Sequence, residues 1–221
     1  MRKNQQGSMA LMAGGVAAVV AILAILIVVA IKYERVKPGF VGVSVQKCDG
    51  GVGEAPIPVG VYWREIMCED VVMYPTNLQS LELMRPKAKD SEEIDDSVLV
   101  TSKEGMPVAA DVSLTFTLDG AKVPTLYKKY RQELSVLSQV LVRKAVRGAM
   151  QQVFTRYTAE ELYSDKKEVA RAESQAILMK DLSPSGFEVV QFTLDETRPP
   201  KQIIDAINAK VAMIQDAQRS E

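Results

Sequence analysis

One stretch of the chain, residues 10–31, constrains the fold more than any other. It reads ALMAGGVAAVVAILAILIVVAI and contains no charged residue and no Asn, Gln, Ser or Thr. As an α-helix it would be about 33 Å long, against a bilayer hydrocarbon core of about 30 Å. A helix that is apolar on all sides disfavours a place in a globular core, where one face usually meets water. The stretch is also longer than the apolar region of a cleaved signal peptide, so we predict a retained transmembrane anchor.

The anchor separates a polar tail, residues 1–9, from a body that begins at Lys32. Basic residues are nearly balanced on its two sides, so the positive-inside rule does little to fix the orientation. We expect a single-pass protein of a bacterial-type inner (plasma) membrane, with the N-terminus in the cytoplasm and the body outside; the alternative is the mitochondrial inner membrane. Basic and aromatic residues close to such an anchor are candidates for contact with the membrane interface. They are Lys32, Tyr33, Arg35, Tyr62 and Trp63.

The composition excludes several classes of function. The chain has 27 basic and 28 acidic residues, and no basic cluster interleaved with aromatic residues, so we expect no nucleic-acid partner. It has no histidine, which removes His-dependent catalytic triads and imidazole metal sites. No phosphate-binding glycine loop, G-x-S-x-G motif or paired carboxylate is present. We therefore expect a protein that is not an enzyme, with no catalytic residue, no cofactor and no metal.

Two strands are predicted early in the body, around residues 41–45 and 59–67, because apolar residues alternate there and turn residues fill the gap. We interpret them as a hairpin centred near Val52. In that register Cys48 lies opposite Val59, and Cys68 lies opposite Gly39. The two cysteines would then sit at opposite ends of the hairpin, too far apart for a disulfide bond.

The clearest strand pattern lies at residues 108–118, where every second residue is apolar and the residues between them, including Asp111, are assigned to the face in water. A turn at Glu104-Gly105 pairs this strand with residues 97–101. The predicted buried face consists of Val108, Ala110, Val112, Leu114, Phe116 and Leu118.

Helical spacing takes over after residue 123. A helix over 134–154 has one apolar face, formed by Leu137, Leu141, Ala145, Ala149 and Val153. Thr158 and Glu161 form a capping box that begins the next helical segment. After a strand near 187–194, Pro199-Pro200 begins a last helix. Its apolar residues recur at spacings of four, four and three, which favours packing against a neighbouring helix. These candidates for an oligomer seam are Ile203, Ile207, Val211 and Ile214.

The predicted fold class is α+β: a transmembrane helix, residues 10–31, a domain with an antiparallel sheet and packed helices, residues 32–198, and an outgoing helix of coiled-coil type, residues 199–221. Several segments in this order resemble the SPFH (band 7) family of stomatins, prohibitins and flotillins, and its prohibitin branch in particular. They are VKPGFVGV at 36–43, PVGVYW at 58–63, TSKEGMPVAADVSLTFTLDGAKVPTLYKKYR at 101–131 and RPPKQIIDAINAKVAMIQDAQRSE at 198–221.

This resemblance implies a non-enzymatic membrane scaffold. Members of the family assemble laterally into large rings or cages, with the SPFH domain on the bilayer and the long helices side by side. Several members enclose or regulate membrane AAA proteases of the FtsH type and organise lipid microdomains. The expected partners are therefore the lipid bilayer, further copies in a homo- or hetero-oligomer, and a membrane AAA protease. The competing interpretation is a monomeric or dimeric membrane-tethered sensor or binding domain.

Overall fold

The structure, a computed structural model, describes residues 20–23, 25, 31–65, 68–86 and 95–219. Most of the predicted anchor, residues 10–31, lies outside these described residues, as does the polar tail, residues 1–9. Within the described residues, no helix combines the length and the apolar character that crossing a membrane requires. The described chain divides into two compact units, which meet in sequence between Tyr74 and Pro75.

Within the described residues, the first unit contains four strands: β1 (Ile31–Val36), β2 (Phe40–Gln46), β3 (Gly60–Glu65) and β4 (Glu69–Pro75). They form two separate pairs, because β1 pairs antiparallel with β3 while β2 pairs with β4. Two antiparallel bridges, Gly42 with Ile57 and Val45 with Val52, join β2 to the loop that follows it. A turn rich in Asp and Gly therefore reverses the chain directly after β2.

The prediction for the two cysteines was wrong, because Cys48 and Cys68 form a disulfide bond with their Cα atoms 5.0 Å apart. The predicted hairpin placed its centre near Val52, whereas the bridge between Val45 and Val52 centres the turn about four residues earlier. The strand at 60–65 then pairs with β1 instead of β2. The backbone N–H of Lys47 donates to the carbonyl of Cys68, which brings the second cysteine next to this turn.

The second unit is built on a four-stranded antiparallel sheet around β7 (Pro107–Leu118). Strands β5 (Gln79–Leu83) and β6 (Val98–Thr101) pair with β7 one after the other along the same edge. Strand β8 (Phe187–Arg198) also pairs with β7. The predicted strand pattern is confirmed, since all six of its apolar residues are buried. The predicted turn is also confirmed, with Gly105 at φ +78° between β6 and β7. Asp111, assigned from the sequence to the face in water, is instead buried.

The alternation of buried and exposed residues along strand β8 is interrupted at two places. Its register against β7 shifts at Val190 and again at Asp195, so that one extra residue is accommodated at each place. Because neighbouring residues of a strand point to opposite sides, each extra residue reverses the alternation. The next buried residue after Val189 is consequently Phe192, three positions later, and the next after Leu194 is Thr197, again three positions later. A simple period of two therefore holds only within the segments between these two shifts.

The helices of the second unit are α1 (Val123–Tyr130), α2 (Leu134–Leu137), α3 (Arg143–Phe154), α4 (Ala159–Tyr163), α5 (Lys167–Leu182) and α6 (Lys201–Arg219). A π-helical turn, Ser138–Val142, joins α2 to α3. This turn advances the buried face by five residues, from Leu137 to Val142, so that Leu141 and Ala145 of the predicted stripe are only half-buried. The capping box is confirmed: Thr158 and Glu161 exchange side-chain-to-backbone hydrogen bonds at 2.8 and 3.2 Å.

Candidate interaction surfaces

The ribbon formed by β1 and β3 has an outer face that is aromatic, apolar and basic. Its register places Tyr33 opposite Trp63 and Arg35 opposite Val61, and because alternate residues share a face, all four lie on one side. Tyr33 and Trp63 are 61% and 67% exposed, and their rings meet edge to face with centroids 6.1 Å apart. Exposed aromatic and apolar side chains that lie together in this way form a candidate contact surface for a membrane or a partner.

The structure separates Tyr62 from the other candidates for the membrane interface. Its ring lies on the opposite face of the ribbon, and its hydroxyl donates to the buried carboxylate of Glu69 at 2.7 Å. Ser44 donates to the same carboxylate oxygen, also at 2.7 Å. The hydrogen bond to Glu69 stabilises the protonated phenol and raises the pKa of Tyr62 above its usual value. The side chain of Lys32, the remaining candidate, lies outside the described residues.

Helix α6 presents the predicted seam in two halves. Ile203 and Ile207 are half-buried, and Lys210 pairs with Glu160 of α4 at 3.0 Å, so the first half of the helix lies against its own unit. Val211 and Ile214 are 45% and 51% exposed, and no residue of α6 is buried. The structure therefore leaves the second half of the seam uncovered.

An ion pair that the sequence analysis did not anticipate holds the end of β8, at Arg198, just before α6 begins at Lys201. This junction is called the root of α6. Arg198, the last residue of β8, makes a bidentate contact with the carboxylate of Asp111 on β7, with both N–O distances at 2.6 Å. The backbone N–H of Arg85 also donates to this carboxylate, at 3.2 Å. The hydrogen bonds that Arg198 donates to Asp111 stabilise the charged guanidinium and raise the pKa of Arg198 above its usual value. Next to it, the hydroxyl of Thr197 donates to the carbonyl of Leu162 at 3.0 Å.

Sequence reasoning missed this pair because each residue looked ordinary in its own segment. Asp111 fell on the alternate positions of a strand that seemed half-solvated, and Arg198 preceded two prolines that drew attention to the helix start. One signal was available: Asp111 is the one acidic residue within the apolar strand at 107–118. A carboxylate in such a strand is buried at a cost unless a cation meets it, which is a reason to search for a distant arginine.

Acidic and cysteine side chains are spread over the described residues. Among them, no group of three or more Cys, Asp and Glu side chains is placed to hold a metal ion. A cleft of about 500 Å³ lies beside the root of α6, lined partly by Arg85, Arg198 and Asp111. Both arginines of this cleft are already paired, since Arg85 contacts Asp95 at 3.1 Å and Arg198 contacts Asp111 at 2.6 Å. The geometry thus fits a structural network.

Comparison with known proteins adds one finding. The family model described as the SPFH domain / Band 7 family matches residues 34–221, which run from within β1 through the second unit and include helix α6. The match is to the family as a whole and leaves its prohibitin branch undecided. No curated protein matches the chain.

Proposed function

Because the chain belongs to the SPFH/band 7 family, whose function is in general that of a membrane-associated scaffold, we propose that it is a prohibitin-like scaffold whose copies assemble laterally into rings or cages. The observation that carries the assembly is the uncovered half of helix α6. Val211 and Ile214 are both exposed and lie about one helical turn apart on one face of the helix. Apolar side chains at this spacing are buried when a second helix packs alongside. The proposal assigns no catalytic activity to the chain.

Membrane attachment is proposed on two supports. The first is the apolar stretch at 10–31, which has the length and composition of a transmembrane helix. The second is the outer face of the ribbon, because β1 begins at Ile31, the last residue of that stretch. Tyr33 follows only two residues later, about 7 Å along the strand, and Trp63 lies opposite it. Trp and Tyr side chains are enriched at this depth of a membrane interface.

The orientation of the body is proposed from the disulfide bond. Disulfides persist in oxidising compartments and are rare where glutathione and thioredoxin keep thiols reduced. The bond between Cys48 and Cys68 therefore supports a body outside the cytoplasm, in the periplasm of a bacterial inner membrane or, as the alternative, on the intermembrane side of a mitochondrial inner membrane. In this arrangement the scaffold surrounds or regulates other membrane proteins. We propose that one of these partners is an AAA protease of the FtsH type.

The assembly is tested by the mass of the detergent-solubilised full chain, measured by light scattering after size exclusion. Val211→Asp places a charge on the seam, and Ala212→Asp places the same charge on the opposite side of α6 as a matched control. Both positions are exposed, so neither variant is expected to unfold the body. We expect a large oligomer that persists in the control and falls to a few copies in Val211→Asp, because a seam cannot bury an aspartate.

A monomer or dimer for the unaltered chain would overturn the scaffold and favour the tethered sensor or binding domain. Equal masses for the two variants would remove α6 as the assembly element. The protease partner is tested separately, by whether an AAA protease co-purifies with the unaltered chain and is lost together with the oligomer.

A further inference from the structure

The helical segment from Lys122 to Arg147 carries a strong excess of positive charge. It contains seven basic residues and one acidic residue, Glu133, in a chain whose net charge is −1. Within the described part of the chain, no carboxylate lies within ion-pair distance of five of these cations. They are Lys128, Lys129, Arg131, Lys144 and Arg147. Uncompensated charge of one sign raises the local concentration of small ions of the other sign.

A cleft of about 270 Å³ opens within this segment, between α1 and the turn Ser183–Ser185 that follows α5. No carboxylate is among its lining side chains, while two ammonium groups and three hydroxyl groups are. Leu126 and Pro184 supply apolar surface. The lining side chains that can donate hydrogen bonds are Lys122, Thr125, Lys129, Tyr130 and Ser185.

Lys122 is held in place at one wall of the cleft. Its ammonium donates to the carbonyl of Ser183 at 3.3 Å and lies 3.8 Å from the carboxylate of Asp119. Its stem presses against Gly186, which has φ +85° and where an added Cβ would come within 2.9 Å of the Cβ of Lys122. A lysine has three N–H donors, so these contacts fix the side chain and still leave donor capacity for a ligand.

Lys129 supplies the second charge, with fewer constraints. Its ammonium lies 5.1 Å from the centre of the Tyr130 ring, which holds it by a cation–π contact at the side of the cleft. Its neighbour Lys128 is also exposed and has the same charge, yet it does not line the cleft. The two lysines therefore differ in position and not in chemistry.

We propose that this cleft binds a phosphate group, carried either by a phospholipid headgroup or by a small soluble phosphate ester. A phosphate presents several acceptor oxygens and negative charge, which two lysines and nearby hydroxyl groups satisfy together. The volume suits a phosphate with a glycerol-sized substituent and little more. This site is separate from the α6 seam, and it does not depend on whether the chain assembles.

The test is a calorimetric titration of the full chain in a non-ionic detergent. Glycerol 3-phosphate probes the soluble source, and short-chain phosphatidic acid probes the headgroup source, with short-chain phosphatidylcholine for comparison. We expect saturable binding of at least one phosphate monoester. Phosphatidic acid that binds more tightly than glycerol 3-phosphate would identify a lipid headgroup, and equal affinities would identify the soluble ester.

The decisive comparison is between Lys129→Gln and Lys128→Gln, which remove equal charge from adjacent exposed positions. Loss of one charged hydrogen bond is expected to weaken binding about tenfold or more in Lys129→Gln. Lys128→Gln is expected to change affinity less than about twofold, because only the general field is altered. The absence of saturable binding, or equal weakening in the two variants, would overturn the site.

Discussion

The ion pair between Asp111 and Arg198 offers the sharpest test of how the body holds its outgoing helix. The two residues lie 87 positions apart in sequence and meet through two contacts of 2.6 Å. Their side chains retain only 11% and 18% exposure. The contact fixes the last residue of β8 against β7, three residues before α6 begins. We expect Asp111→Asn to weaken this part of the second unit.

The magnitude follows from the burial and the geometry of the pair. Removing one partner of a fully buried ion pair costs about 3–5 kcal/mol, and a single hydrogen bond to a charged group contributes about 1.5–3 kcal/mol. Asparagine keeps one acceptor oxygen, and the site is partly open to water. We therefore expect Asp111→Asn to lower the free energy of unfolding by about 2–3 kcal/mol.

The matched control uses the second carboxylate on the same arginine. Glu196 lies 3.1 Å from Arg198, but its side chain is 62% exposed. Exposed ion pairs contribute about 0–1 kcal/mol, so Glu196→Gln is expected to be nearly neutral. The two variants remove a carboxylate from one guanidinium and differ mainly in how much water reaches that carboxylate.

The assay is native-state hydrogen exchange of the full chain in detergent, read at the amides of β8 and the first turn of α6. Exchange reports each segment by itself, which matters because the body consists of two compact units. We expect faster exchange at both segments in Asp111→Asn and no change in Glu196→Gln. A double-mutant cycle with Arg198→Gln should give a coupling of about 1.5 kcal/mol or more. A change within about 0.5 kcal/mol for Asp111→Asn would refute the reasoning.

Three further results are expected. Replacing Cys48 and Cys68 together by Ser should lower the free energy of unfolding by about 3 kcal/mol, since their bond closes a loop with a sequence separation of 20, and chemical denaturation measures it; a neutral result would contradict the bond. The pKa of Asp95 is lowered to about 2, chiefly by the Ser97 hydroxyl, so that its stabilising effect is present above a pH near 3.8 and is lost as the pH falls through about 2. Ser97→Ala should raise that pKa in a carboxyl NMR titration, and an unshifted titration would count against this assignment. Thr158→Ala removes the helix cap of α4 and should cost about 1 kcal/mol in thermal unfolding, whereas Thr158→Ser, which keeps the hydroxyl, should cost little.

The sequence was most informative where neighbouring residues decide the outcome. The six alternating apolar residues of β7 are buried as predicted, because a strand places every second side chain on one face whatever lies opposite. The capping box at Thr158 and the turn at Gly105 are equally local, since each closes within a few residues. The α+β class and the resemblance to the SPFH/band 7 family as a whole depended on the order of such local signals, and both are supported.

Departures from regular periodicity lay beyond this reasoning. The π-helical turn at Ser138–Val142 and the two bulges of β8 each insert one residue into an otherwise regular pattern. Nothing in the local composition marks them, because the inserted residue is chosen by packing against the neighbouring element. The predicted helix therefore had the right extent, but two of the five residues in its predicted apolar stripe, Leu141 and Ala145, are only half-buried.

The sequence by itself determined the strand β7 with its buried face, the extent of the helical segment at 134–154, and that the chain belongs with membrane-associated scaffolds. Tertiary structure alone decided which segments meet. It paired β1 with β3, joined Cys48 to Cys68, and brought Arg198 to Asp111. Periodicity and capping reflect the geometry of a few consecutive residues, whereas strand partners and ion pairs depend on how distant segments share one core. Periodicity and capping can therefore be read directly from a single sequence. Strand partners and ion pairs depend on the free energy of the complete fold.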